Sequence, residues 1–177
     1  MNILILTGSP HKKGTSNTLV EAFQRGAKES GHQIEVYDCA RGNIHGCLGC
    51  DACGMNGSCV QKDDGNQVLE KLLMADLVVF ATPVYYFGMS AQLKTMIDRF
   101  YARNGAITGK HMKAALLATA WDDNAIVMKG IKTHFEIIFD YLNFQNAGML
   151  LAKGSGNVEM MPRHYQEEAY KLGKNLI

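Results

Sequence analysis

The chain has almost no charge imbalance, no apolar run of membrane length and no paired catalytic histidines. Each deficit closes off a class of function. Its 18 Lys and Arg against 17 Asp and Glu leave a formal net charge of +1, without the basic face that a nucleic-acid binder normally presents. The opening MNILILTGSP is too short in its apolar part for a signal-peptide core and lacks preceding positive charges. The most apolar later stretch, Leu77 to Ala81, is stopped by Pro83, so no membrane span is expected. The expected location is the cytoplasm, where stable disulfides are uncommon. His32, His45, His111, His134 and His164 are scattered, and none forms a Cys–His or HExxH arrangement for nucleophilic or hydrolytic work. Internal repeats, linkers and low-complexity segments are also missing.

What is present reads as one domain over residues 1–177, with 47% hydrophobic residues and 20% charged. Asn2 to Thr7 is a short Ile- and Leu-rich run of the kind buried on both faces of a parallel sheet. Asn17 to Ser30 places Leu19, Val20, Phe23 and Ala27 on one helical face, and Gln33 to Asp38 alternates as a second strand. Asp63 and Asp64 would cap a helix carrying Val68, Leu69, Leu72 and Leu73. Leu77 to Ala81 is the third strand, Pro83 to Ser90 a loop, and Gln92 to Arg103 a helix. Lys113 to Thr119 and Ala147 to Ala152 supply strands four and five, with helices at Ile126 to Leu142 and Pro162 to Ile177. Strands alternating with helices predict an α/β three-layer sandwich around a five-stranded parallel sheet. The expected order is 2-1-3-4-5, with ligands beyond the C-terminal strand ends, beside the first strand.

Three loops at that end draw attention. Gly8-Ser-Pro-His-Lys-Lys-Gly-Thr-Ser-Asn-Thr18 leads into the first helix, whose N-terminus offers unpaired amides to a phosphate. Ser16, Asn17 and Thr18 could equally cap that helix. The glycine spacing fits neither a Walker loop nor a dinucleotide fingerprint. Thr82-Pro-Val-Tyr-Tyr-Phe-Gly-Met-Ser90 sets three aromatics together, suited to walling a planar ring system or to covering the sheet end. Trp121, the only tryptophan, follows strand four, either packed on the fold or touching a ligand.

Cys47, Cys50, Cys53 and Cys59 make a C-x2-C-x2-C-x5-C run, with Cys39 apart. Zinc sites usually separate two C-x2-C pairs more widely. Cysteines at successive three-residue intervals match instead the bacterial ferredoxin run that holds a [4Fe–4S] cluster. Gly49, Gly54 and Gly57 would let the backbone wrap closely around it. A redox or structural thiol loop stays as the alternative, and Cys39 reads as an ordinary semi-buried thiol.

GSPHKKGTSNTL, TPVYYFGMSAQLKTMIDR and CLGCDACGMNGSCVQKDD together resemble the flavodoxin-like NAD(P)H-dependent FMN reductases, and more narrowly the iron–sulfur flavoproteins. The resemblance runs from the first strand to about Arg99. It implies a flavodoxin-like fold with an FMN phosphate held by Ser9, Ser16, Asn17 and Thr18 together with His11. It also implies Pro83, Val84, Tyr85, Tyr86, Phe87 and Gly88 along the flavin ring. Trp121-Asp122-Asp123 stands where many of these reductases carry a glycine pair. The implied activity takes electrons from NAD(P)H through FMN to a small acceptor such as a quinone or nitro compound. An iron–sulfur flavoprotein relaying electrons to ferredoxin-like partners is the other reading. A homodimer is expected.

Overall fold

The computed structural model describes residues 1–176; Ile177, included in the expected closing helix, lies outside them. The chain runs β1 (Asn2–Thr7), α1 (Thr15–Glu29), β2 (Gln33–Asp38), α2 (Gly65–Met74), β3 (Leu77–Tyr85), β4 (Gly88–Met89) and α3 (Ala91–Asp98). A 3-10 turn (Arg99–Arg103) follows, then α4 (Asn104–Lys110), β5 (Lys113–Thr119), α5 (Ile126–Tyr141), β6 (Gln145–Ala152) and α6 (Arg163–Lys174). Five parallel strands lie in the order β2-β1-β3-β5-β6, as the alternating pattern predicts, and β4 pairs antiparallel with β3.

Period-two alternation along the buried strands divides the core in two. Leu4, Leu6, Val78, Phe80 and Leu116 face one side of the sheet, packed with Leu69, Leu93 and Phe135. Ile3, Ile5, Val79 and Leu117 face the other, packed with Leu19 and Phe23 of α1 and Ala169 of α6. Phe80 and Phe135 are fully buried with ring centroids 5.2 Å apart. Burying each such side chain contributes about 1.5–3 kcal/mol. No helix among the described residues is long and apolar enough to cross a membrane.

The departures from expectation fall near the strand ends. The stretch expected as a loop from Pro83 instead continues β3 to Tyr85 and folds back through β4, pairing Val84 with Met89 and Tyr85 with Gly88. Tyr86 and Phe87 form the two-residue turn, both left-handed at φ 47 and φ 66. The helix expected to reach Arg103 ends at Asp98 and tightens into the 3-10 turn. Asp64 stands at the α2 N-cap without a side-chain capping bond. Its carboxylate instead accepts from the Tyr37 hydroxyl at 2.8 Å and the Asn43 amide at 2.9 Å.

Candidate functional site

At the C-terminal ends of β1, β3, β5 and β6 the loops enclose a cleft of about 510 Å3. α1 points its N-terminus there. Its N-cap is Gly14, with no side-chain capping bond, and the first helical bond returns from the Thr18 amide to the Gly14 carbonyl at 3.0 Å. The amides before it precede the helical ladder and need an outside acceptor. A Cβ built on Gly14 would sit 3.0 Å from the His11 Cβ and 3.4 Å from the Ser9 hydroxyl, so a larger residue would crowd this cradle. The uncapped amides, the hydroxyls and Lys13 at the rim fit a phosphate group.

Ser9, His11 and Ser16 line the cleft, as do Pro83, Val84, Tyr85 and Trp121. Asn17, Thr18, Tyr86, Phe87 and Gly88 do not. Asn17 holds the loop in shape: its Oδ1 accepts from Thr7 Oγ1 at 2.7 Å, and its Nδ2 donates to the His11 and Lys12 carbonyls at 2.9 and 3.1 Å. Thr18 Oγ1 donates back to the Gly14 carbonyl at 3.2 Å. The Ser16 hydroxyl is buried and shares a 2.7 Å bond with Thr119 Oγ1, which also accepts from Thr15 Oγ1 at 3.1 Å. Tyr86 is 101% exposed at the hairpin tip, beside Phe87.

The loop after β6 was not anticipated. Ser155, Gly156, Asn157 and Val158 line the cleft wall. The Trp121 ring lies so near Gly156 that a Cβ there would be 2.5 Å from two ring atoms. The Ser155 amide donates to the Ala120 carbonyl at 2.7 Å, and the Gly154 amide to the Asp122 carbonyl at 2.9 Å. The readable signal was Gly154-Ser155-Gly156 directly after a strand, a turn composition at the ligand-binding end.

A second constellation lies at the cysteine loop. Cys47, Cys50, Cys53 and Cys59 all line one small cavity of about 10 Å3, with Arg99 and Tyr101. All are free thiols; Cys47 and Cys50 are exposed, Cys53 and Cys59 half-buried. Among the described residues no group of three or more His, Cys, Asp or Glu is arranged to hold a metal ion. The donor set nonetheless suits a sulfur-ligated group: four thiols around one cavity, with a cation at its wall. Several contacts fix the loop. The Tyr101 hydroxyl donates to Asp51 at 2.7 Å, and Asn66 brackets Cys59 through its amide at 2.8 Å and its carbonyl at 2.9 Å.

Arg99 and Asp63 form a buried ion pair, both side chains fully inaccessible. Arg99 Nη1 donates to Asp63 Oδ2 at 2.7 Å and to the His45 carbonyl at 3.0 Å, and Nη2 donates to Asp63 Oδ1 at 3.0 Å. Burial alone would raise the Asp63 carboxyl. The Arg99 bonds and the backbone amides of His45 and Gly65 outweigh it and bring it down to about 2. Burial likewise opposes the guanidinium charge, but Asp63, with Cys59 adding to it, holds Arg99 above its ordinary value. Cys39 stands apart: burial, with Asp38 assisting, pushes its thiol up to about 12.

Comparison with known proteins follows the same lines. An iron–sulfur flavoprotein of Archaeoglobus fulgidus is 34% identical over 113 residues, covering 63% of this chain and 51% of its own. Another from that organism is 40% identical over 99 residues, covering 56% of this chain and 48% of its own. The chain thus spans about half the length of these relatives. Among solved structures, an NAD(P)H:quinone oxidoreductase from Methanothermobacter marburgensis superposes with a TM-score of 0.78 at 23% identity. That match covers 99% of this chain and 95% of the other, and shows the shared flavodoxin-like fold. The sequence profile of the NADPH-dependent FMN reductases matches residues 1–147, and the chain belongs to that family.

Proposed function

We propose that this chain binds FMN in the cleft at the α1 N-terminus and works as an NAD(P)H-dependent oxidoreductase. The single observation that carries this reading is the uncapped α1 N-terminus opening into a hydroxyl-lined cleft at the C-terminal strand ends. Ser9, His11, Lys13 and the first amides of α1 would hold the phosphate. Thr119 would lock the first turn through Thr15 and Ser16, and Asn17 would brace the loop from behind. Pro83, Val84 and Tyr85 would wall the ring on the β3 side and Trp121 on the other. When bound, FMN would supply two-electron chemistry between NAD(P)H and a small acceptor of the quinone or nitro class.

FMN titration of the apoprotein, followed by anaerobic NAD(P)H addition, tests this. Expected are one flavin per chain and bleaching of the flavin band by NAD(P)H. Failure to bind FMN would end the reading.

A second reading, an iron–sulfur flavoprotein relaying electrons through a [4Fe–4S] cluster to ferredoxin-like partners, is favoured by the four thiols around one cavity. Cys47, Cys50, Cys53 and Cys59 would hold that cluster. Iron and sulfide analysis of protein prepared without oxygen decides it. We also place the protein in the cytoplasm as a homodimer, with the exposed hairpin aromatics covered by the second subunit; sedimentation as a monomer at micromolar concentration would remove that expectation.

A further inference from the structure

Arg99 has five donor hydrogens in a planar fork. Two nitrogens are used: Nη1 on Asp63 and the His45 carbonyl, Nη2 on Asp63. The third, Nε, is buried and makes no hydrogen bond, although the Cys59 sulfur is near enough to favour the guanidinium charge. Buried donors are nearly always paired, and a guanidinium is an expensive group to bury with a hydrogen unmatched. The residue is 1% exposed and lines the cavity formed by all four cysteines of the run. An unpaired donor on a fixed cation that lines a cavity of four thiols lacks only an acceptor. The acceptors a ligand could bring there are sulfurs.

We propose that Arg99 is a positioning residue whose Nε–H donates to a sulfur of the cluster held by Cys47, Cys50, Cys53 and Cys59, and thereby raises its reduction potential. The inference rests on the cluster reading above. A cluster with four thiolate ligands is anionic in both oxidation states and more so when reduced. A donor aimed at its sulfurs therefore favours the reduced form. Asp63 has the opposite part. It fixes the guanidinium by a bidentate bond, which a lysine cannot copy. It also cancels the guanidinium charge, so the donor acts mainly through its hydrogen bond. The Arg99 and Asp63 side chains are inaccessible to solvent, so their electrostatics are weakly screened.

The two residues therefore have effects of opposite sign, which a purely structural role would not produce. Arg99→Lys keeps the charge but removes Nε, so the potential should fall. Asp63→Asn keeps an acceptor for Arg99 but leaves its charge uncompensated, so the potential should rise.

The test uses full-length protein with FMN, reconstituted anaerobically with iron and sulfide. Iron content is measured first. The one-electron couple is then titrated with dithionite and mediators and read by electron paramagnetic resonance of the reduced cluster. At a fixed ambient potential, Arg99→Lys should lower the reduced-to-oxidised ratio about tenfold, a shift of about 59 mV for one electron. Asp63→Asn should shift it the other way. Wild type that takes up no iron and sulfide would overturn the cluster reading and this inference with it. Wild type with a cluster whose potential is unmoved by Arg99→Lys would overturn this inference alone. If Arg99→Lys fails to fold or to load, wild type labelled with 15N-arginine decides: a hyperfine coupling of an arginine nitrogen to the reduced cluster supports the donor, and its absence overturns it.

Discussion

The carbonyl oxygen of Phe87 lies against Gly130 of α5, so close that a Cβ on Gly130 would sit 2.6 Å from it. This contact seats the β3–β4 hairpin on the helix. In an exposed helix interior, glycine to alanine ordinarily gains about 1 kcal/mol. Here Gly130→Ala should lose that gain, because backbone must move. The expected outcome is a melting temperature no higher than wild type and FMN affinity reduced several-fold by titration. A stabilised variant with unchanged affinity would show the hairpin to be free of α5.

Tyr86 stands fully exposed in a left-handed conformation, which costs an ordinary side chain about 1–2 kcal/mol. Asparagine tolerates that conformation and suits the first position of such a turn. Tyr86→Asn should therefore raise the melting temperature by about 2 °C. If the ring is retained for a second subunit, the same variant should also sediment with a weakened dimer.

Thr119 carries two hydroxyl partners from the first turn of α1, both buried. Thr119→Val keeps the shape and strands those hydroxyls, costing about 1–3 kcal/mol. Denaturant unfolding should detect the loss, and FMN titration should show affinity falling in parallel because the α1 N-terminus loosens. Asn17→Ala should act similarly, through the three bonds it makes behind the loop.

Acid should weaken the Asp63–Arg99 pair in a defined window. The Asp63 carboxyl lies at about 2 in the fold against 3.8 when unperturbed. Its stabilisation is therefore complete above the unfolded value and is lost as pH falls from about 4 towards 2. Allowing for screening, the contribution is about 1–2 kcal/mol. The unfolding free energy of Asp63→Asn, measured from pH 6 down to pH 2, should show a shallower decline than wild type. An identical slope would mean that the carboxylate is not held down by Arg99.

Thiol chemistry should separate Cys39 from the run. A thiol pushed up to about 12 is almost wholly protonated at pH 8, and Cys39 is buried. Iodoacetamide at pH 8 should label the exposed Cys47 and Cys50 in minutes, and Cys39 only after unfolding, as read by peptide mass spectrometry. Under iron and sulfide reconstitution, Cys50→Ala should lose iron and Cys39→Ala should keep it.

The sheet was legible because each parallel strand is a short apolar run between loops, and five such strands suit the doubly wound order 2-1-3-4-5 that the structure adopts. The loop after β1 was legible as a wall of the cleft, which Ser9, His11 and Ser16 line, whereas Asn17 and Thr18 bond the loop and helix from behind. The hairpin was hidden because its turn carries Tyr86-Phe87 rather than the glycine or asparagine that announces such turns. Asp63 does accept the Gly65 amide at the start of α2, at 3.0 Å, but its stronger bonds go elsewhere. A buried arginine outside its local sequence offers a bidentate charged bond, which is stronger than a capping bond. No local pattern around Arg99 discloses the pairing, since His45, Asp63 and Arg99 meet only after the crossovers are made.

β1 sits inside the sheet, pairing Ile3 with Ile34 on one edge and with Leu77 on the other. Synthesis adds about 5–20 residues per second, so the chain reaches Leu77 roughly 4 to 15 seconds after β1 has been made. Throughout that interval an Ile- and Leu-rich strand has an open edge, the arrangement most prone to pair with a neighbouring nascent chain. Added chaperone should therefore change the yield of soluble protein more than it changes the stability of the finished fold.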